Sequence, residues 1–186
     1  MTTPTDVSPA HLIALPLNRK QLGLILQIPV LMIIGLFLLA YDALWGIESL
    51  AAVFRQPLAG ITLAVAYPLG ILVHELLHAL GFVGFGSASW KMIRIGIFRL
   101  TAFCQCDAPV VVPGFRAAIA LPGLLLGVFP VVVALIFGFG WWLLFGALMA
   151  SAALGDVLIL WTLRTVPRRG KIVYRPVISR YEVTYH

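Results

Sequence analysis

Charge is what this sequence has least of. Lys, Arg, Asp and Glu together make 11% of its 186 residues, where a soluble domain carries about a quarter. With 61% hydrophobic residues and a mean hydropathy of +1.03, the chain is excluded from the ordinary soluble class. Its apolar runs are of membrane-spanning length, so it reads as one polytopic membrane domain. Cysteine is nearly absent. The two present, Cys104 and Cys106, stand too close together for a disulfide framework. They fall in a loop assigned below to the cytoplasm and read as reduced thiols. Acidic residues are scarcer than basic ones, 7 against 13, for a formal net charge of +6. Such an excess suits nucleic acid, but its distribution along the chain argues against that partner. Repeats and low-complexity tracts are missing as well.

What is present falls into four apolar runs. Residues 1–20 are a polar tail with Pro and Thr, expected to be loosely ordered. The first span, Leu22–Leu44, follows Arg19 and Lys20 and ends near Tyr41 and Trp45. It is too long for a signal-peptide core and lacks a small-x-small cleavage site after it. A loop, Trp45–Pro57, leads to the second span, Leu58–Phe85, with Pro68 inside it. Then the pattern changes. Ile93, Ile95 and Ile97 alternate with Met92, Arg94, Gly96 and Phe98, a period of two, and Thr101–Cys106 follows a turn near Arg99. This predicts a small β-hairpin within about 87–112, between the second and third membrane helices. Cys104 and Cys106 share one face of it, where packing is the better reading than a two-ligand metal site. The third span, Phe115–Phe137, contains Pro122, Gly123, Gly127 and Pro130; the fourth, Trp141–Leu163, is apolar apart from Ser151, Thr162 and Asp156. Residues 165–186 form a basic tail whose last residues alternate in polarity.

The expected fold is therefore an all-α membrane protein of about four transmembrane helices in residues 21–164, with that hairpin on the cytoplasmic side. Four spans place the N-terminal tail, the hairpin and the C-terminal tail on one side. Twelve basic residues lie there (Arg19, Lys20, Lys91, Arg94, Arg99, Arg116, Arg164, Arg168, Arg169, Lys171, Arg175 and Arg180), and Arg55 alone lies opposite. This asymmetry predicts a multi-pass protein of the cell membrane with both termini cytoplasmic. The basic residues then meet anionic lipid headgroups, not nucleic acid.

The chemistry is concentrated in His74-Glu75-Leu76-Leu77-His78. On a helix, residues four apart are separated by roughly 6 Å along the axis and about 40° around it. His74 and His78 then share one face and can hold one metal ion, while Glu75 projects beside them. This is the His-Glu-x-x-His pattern of zinc metallopeptidases, in which Glu is the general base. The bland alternative is a pair of histidines hydrogen-bonded within a bundle, with Glu75 as their partner. Three ionisable residues within five positions of a membrane helix are costly, which favours the metal site.

A catalytic zinc needs a third protein ligand. Asp156 is the only other acid deep in a span. His78 and Asp156 each lie seven residues before the cytoplasmic end of their spans, roughly 10 Å down at 1.5 Å per residue. The levels match. The alternatives for Asp156 are a hydrogen bond to Ser151 or a salt bridge toward Arg164. His11 and His186 lie in the tails.

Four stretches carry a family resemblance: HELLHALGF at 74–82, LTAFCQCDAPV at 100–110, LPGLLLGVFP at 121–130 and GDVLIL at 155–160. In their order and spacing the chain resembles the DUF3267 group of membrane zincin peptidases, itself similar to site-2-type intramembrane metalloproteases. The resemblance implies His74 and His78 as ligands, Glu75 as base and Asp156 as third ligand. It departs from the site-2 pattern in lacking an Asn-x-x-Pro element, Asn18 being the only Asn. Tyr174-Arg175-Pro176 also stands where an Asp-His-Pro element is expected. The expected function is an intramembrane zinc metallopeptidase cleaving a membrane protein or peptide. Arg116 or a hairpin N–H is the candidate oxyanion donor, and Ile95 and Cys104 on the hairpin are the candidate substrate contacts. The competing readings are a metal-binding scaffold or transporter, or a zinc hydrolase of lipid. The apolar outer halves of the spans count against transport.

Overall fold

The computed structural model describes residues 12–13, 19–98, 101–174 and 181–182. Most of the 1–20 tail, the turn at Arg99, and His11 and His186 lie outside them.

Leu12–Ile13 (β1) precedes a long helix, Arg19–Trp45 (α1), which encloses the first expected span. Its end is fastened to the bundle through Tyr41, whose hydroxyl donates to the Gly138 carbonyl at 2.6 Å, and Trp45, whose Nε1 donates to the Leu135 carbonyl at 3.0 Å. Gly46, at φ 76°, turns the chain in a conformation that suits glycine. The segment that follows, expected as a loop, is instead a helix, Ile47–Arg55 (α2). Its apolar residues Ile47, Leu50, Ala51 and Phe54 recur at helical spacing, and Glu48 and Arg55, seven apart, form an exposed ion pair at 2.8 Å. Leu50 packs into the bundle while Phe54 stays exposed.

The second expected span is the helix Ala59–Gly84 (α3), continuous through Pro68. A 3₁₀ turn at Trp90–Met92 leads into Ile93–Phe98 (β2) and Thr101–Val111 (β3). These pair antiparallel with Ile93 opposite Cys106 and Ile95 opposite Cys104. The expected hairpin is thus present, but it is not alone. Lys171–Tyr174 (β4), from the segment read as a basic tail, adds to β3 and completes a three-stranded antiparallel sheet, β2-β3-β4. Ile172 and Val110 are paired across it and both are buried, which is what draws this part of the tail inward.

The third span is one apolar rod made of Val112–Pro122 (α4), a π-helical segment Gly123–Val128, and Phe129–Phe137 (α5). Gly138, at φ 74°, ends it in the left-handed conformation. The fourth is bent by 41°, Gly140–Ala152 (α6) giving way at Ala153 to Leu154–Thr162 (α7). Among the described residues three helices are long and apolar enough to cross a membrane, or four if the bent pair is one span. Finally Tyr181–Glu182 (β5) pairs with β1. That pairing sets the two segments side by side, Leu12 opposite Glu182 and Ile13 opposite Tyr181.

Two buried clusters form at opposite ends of the bundle. One joins Phe82, Phe115, Ile119 and Leu163 to the sheet residues Cys104, Cys106, Val110 and Ile172; the other gathers Tyr41, Leu50, Val131, Ala134 and Leu143. Outward, Leu31, Leu39, Ile61, Leu69, Ile136 and Trp161 are all exposed. A surface so rich in large apolar side chains suits hydrocarbon, not water.

The contact that holds α3 on α4 is a meeting of small residues. A Cβ placed on Gly81 would stand 2.6 Å from Ala118 Cα and 2.9 Å from its Cβ, so the two backbones touch only because residue 81 is glycine. Gly81→Val must force the helices apart. A loss of about 1–3 kcal/mol is expected, seen as earlier thermal unfolding in detergent, with weakened metal binding because both histidines lie on the displaced helix.

Candidate metal centre

His74 and His78 stand one turn apart on α3, on the face that carries Gly70, Gly81 and Phe82 into the bundle. Their rings meet edge to face with centroids 4.8 Å apart. Both are buried, at 6% and 5% exposure. Asp156 comes from the first turn of α7. The bend at Ala153 delivers it, with the Asp156 amide closing that turn on the Ala153 carbonyl at 3.0 Å. Its carboxylate reaches both histidines, Oδ2 at 2.9 Å from His74 Nε2 and Oδ1 at 3.3 Å from His78 Nε2. Neither alternative partner for Asp156 competes. Ser151 Oγ donates to the Ala147 carbonyl at 2.7 Å, and the Arg164 guanidinium lies over the Trp161 ring at 3.7 Å.

This donor set fits a divalent metal. The ligand atoms of His74, His78 and Asp156 all lie within 4.8 Å of one another. A tetrahedral ion with N and O ligands at about 2.0–2.1 Å sets neighbouring donors roughly 3.3 Å apart, close to the two separations observed. The burial pattern agrees. Asp156 Oδ2 and His74 Nδ1 are buried without a hydrogen-bond partner among the described residues, although Oδ2 sits beside an imidazole nitrogen. A carboxylate oxygen converging on two ring nitrogens in an apolar bundle is costly by itself. A cation among the three relieves that cost.

The other imidazole nitrogen of His78 explains its orientation. Nδ1 lies 3.1 Å from the Ala118 carbonyl oxygen on α4. A carbonyl can only accept, so a proton on Nδ1 satisfies it, and that tautomer leaves the Nε2 lone pair for a cation held between His78 and Asp156. Glu75 is half-buried beside the pair, within electrostatic reach of all three ligands and of the Cys104 main chain on β3. Among the described residues it is the one acidic side chain placed to act on a group held at the ligands without itself belonging to them.

The remaining candidates are distributed differently. Cys104 and Ile95 are cross-strand partners on the sheet, Cys104 buried and Ile95 48% exposed. Burial, with the Glu75 carboxylate and Cys106 nearby, pushes the Cys104 thiol up to about 12. Burial also raises Cys106. Both thiols stay protonated at neutral pH, which suits packing and not ligation or nucleophilic attack. Arg116 donates to the main-chain carbonyls of Leu163 and Val166, which caps the end of α7. Leu163 is seven residues beyond Asp156, about 10 Å along the helix, so these bonds engage Arg116 well below the ligands.

Over residues 68–170, more than half its length, the chain matches the family model DUF3267, described as "Putative zincin peptidase". The chain belongs to this family. Among curated proteins and among solved structures nothing matches it. The matched DUF3267 region contains α3 from Pro68 onward, the sheet strands β2 and β3, and α7, and so includes every residue of the centre.

Sequence reasoning did not find the Ala118 carbonyl, and it offered a hairpin N–H without singling out Cys104, whose backbone lies toward Glu75. Neither announces itself by residue type, although a proline four residues after Ala118 is a signal of the first. His74→Ala and His78→Ala are each expected to abolish zinc binding, and Asp156→Ala to weaken it clearly. Metal analysis of the purified proteins beside wild type checks this; full zinc occupancy in the Asp156 variant would remove Asp156 from the ligand set.

Proposed function

We propose that the protein is an intramembrane zinc metallopeptidase that hydrolyses peptide bonds of membrane-associated substrates. The observation that carries the reading is the convergence of the His74 and His78 Nε2 atoms on the Asp156 carboxylate, with Glu75 set beside them. His74, His78 and Asp156 would hold the ion. When bound, zinc supplies Lewis acidity, polarising a carbonyl and making water more acidic.

The rest is the work of the chain. Glu75, half-buried and outside the ligand set, takes a proton from the attacking water and returns it to the departing amine. The surrounding apolar bundle limits bulk water around that transfer. The sheet offers the substrate its place. Among the described residues β2 is an edge strand, next to β3, whose Cys104 main chain faces Glu75. An extended peptide adding along β2 would lie near the centre, with Ile95 and Ile97, both exposed, as apolar contacts. This addresses a real obstacle, because a peptide bond inside a membrane helix is shielded and has to be extended before attack.

The membrane arrangement belongs to the same reading: a multi-pass protein of the cell membrane, with the sheet and both termini on the cytoplasmic side. It is supported by the twelve-to-one distribution of basic residues and by the pairing of β1 with β5. Reporter fusions after Lys20 and after Gly86 should both report cytoplasm, and one near Glu48 in α2 should report the outside. A cytoplasmic signal at Glu48 would overturn this arrangement.

Glu75→Gln separates an enzyme from a scaffold. It keeps the shape and a hydrogen-bonding group but removes the basic carboxylate. Zinc content and fold are expected to survive while turnover of a membrane substrate falls about a hundredfold or more. Cleavage at the wild-type rate by a zinc-loaded Glu75→Gln protein would rule out this mechanism.

A further inference from the structure

The Ala118 carbonyl lies inside α4, where a main-chain carbonyl ordinarily accepts from the N–H four residues on. Here that residue is Pro122, which has no N–H. The next donor along, the Gly123 N–H, is turned to the Ala120 carbonyl, and the π-helical segment begins at Gly123. The Ala118 oxygen is therefore without its intrahelical donor, at a depth where lipid and bundle supply no water. Its partner is the His78 imidazole on α3, 3.1 Å away. The Gly81–Ala118 contact brings it within range, since Gly81 lies three residues from His78 on the same side of α3 and lets Ala118 approach to touching distance.

We infer that Pro122 is a positioning residue for the metal centre. By withholding an N–H it keeps the Ala118 carbonyl available to His78 Nδ1, and so fixes the tautomer that presents the Nε2 lone pair to the ion. Pro122 is fully buried, and its ring offers no ligand atom. It acts through Ala118 and then His78. Among the prolines of the third span this role belongs to Pro122 alone, because Pro113 stands in the first turn of α4, before Ala118, and Pro130 two turns further on, at the start of α5. The inference rests on the reading of His74, His78 and Asp156 as ligands, but its central measurement does not require the metal.

The chain has four histidines, so selective ¹⁵N-histidine labelling in detergent gives few imidazole signals, and His78 is assigned by their loss in His78→Gln. In metal-free Asp156→Ala protein, which lacks the carboxylate that would otherwise accept from Nε2, His78 is expected to carry its proton on Nδ1 at a pH where the ring is neutral. When Pro122→Ala is added to that background, the new N–H at 122 competes for the Ala118 carbonyl, and the ¹⁵N shifts should move to a mixture of tautomers. With Asp156 in place, the zinc affinity of Pro122→Ala, measured by competition with a chelator, should fall about tenfold, the scale of losing an outer-shell partner. Pro122→Val, which restores side-chain volume while keeping the N–H, should behave like Pro122→Ala, whereas Pro130→Ala should leave both readouts unchanged. A His78 that keeps its proton on Nδ1 in both Pro122 variants would overturn the inference, even if zinc affinity fell, because the proline would then act by packing alone. A wild-type protein that bound no zinc would instead sink the metallopeptidase reading, and the tautomer comparison would still decide the role of Pro122.

Discussion

Everything in this bundle is arranged around one electrostatic problem, the presence of a carboxylate and two imidazoles where there is no water to solvate them. Asp156 and the two histidines come from helices more than seventy positions apart in sequence, and each is costly in hydrocarbon by itself. Their meeting at 2.9 and 3.3 Å is what turns three liabilities into one site. Three features serve that meeting. Gly81 lets α3 and α4 touch, the bend at Ala153 swings α7 so that its first turn faces α3, and Arg116 holds the far end of α7 by its carbonyls. Removing any one of them leaves the ligands on rigid helices that no longer meet.

The parts of this arrangement that could be read from the chain are those governed by simple periodicities. His74 and His78 share a face because a helix repeats every 3.6 residues, and long apolar runs leave the chain little choice but helix. Asp156 was reachable by counting residues from the end of a span, since rise per residue converts sequence position into depth. The alternation of Ile93, Ile95 and Ile97 likewise disclosed the strands. What escaped depends on contacts between distant residues. Lys171–Tyr174 looks like part of a charged tail until Val110 supplies a buried partner for Ile172. In α2 the helical spacing was present, but a short segment between two spans reads as a loop when its length is weighed before its pattern. The bend at Ala153 has no proline to mark it, and Gly123 lies against the Ala153 Cβ from the neighbouring span. Main-chain groups are the hardest case, because the identity of Ala118 says nothing about its carbonyl.

The sheet gives the site its asymmetry. Four crossings alone would enclose the ligands similarly on each side, but β2, β3 and β4 sit at one end only, with the Cys104 main chain toward Glu75. At the opposite end, the cluster around Tyr41, Leu50 and Leu143 joins α1, α2, α5 and α6 with no carboxylate, imidazole or basic side chain among its buried members. One end of the molecule is thus built for chemistry and the other for cohesion, and α3 runs between them.

The pairing of Leu12–Ile13 with Tyr181–Glu182 bears on the order in which this molecule is made. During synthesis the earlier strand emerges first and has no mate until nearly 170 further residues have been added. All the helices between them are made in the meantime. The pair therefore closes late, a contact of very long range that makes no contribution while those helices form. Nascent chains stalled before residue 171 would also lack β4, and with it the strand that covers one side of β3. The sheet beside the candidate ligands would then be completed only after the helices have been made, so that maturation of the site follows theirs and does not precede it.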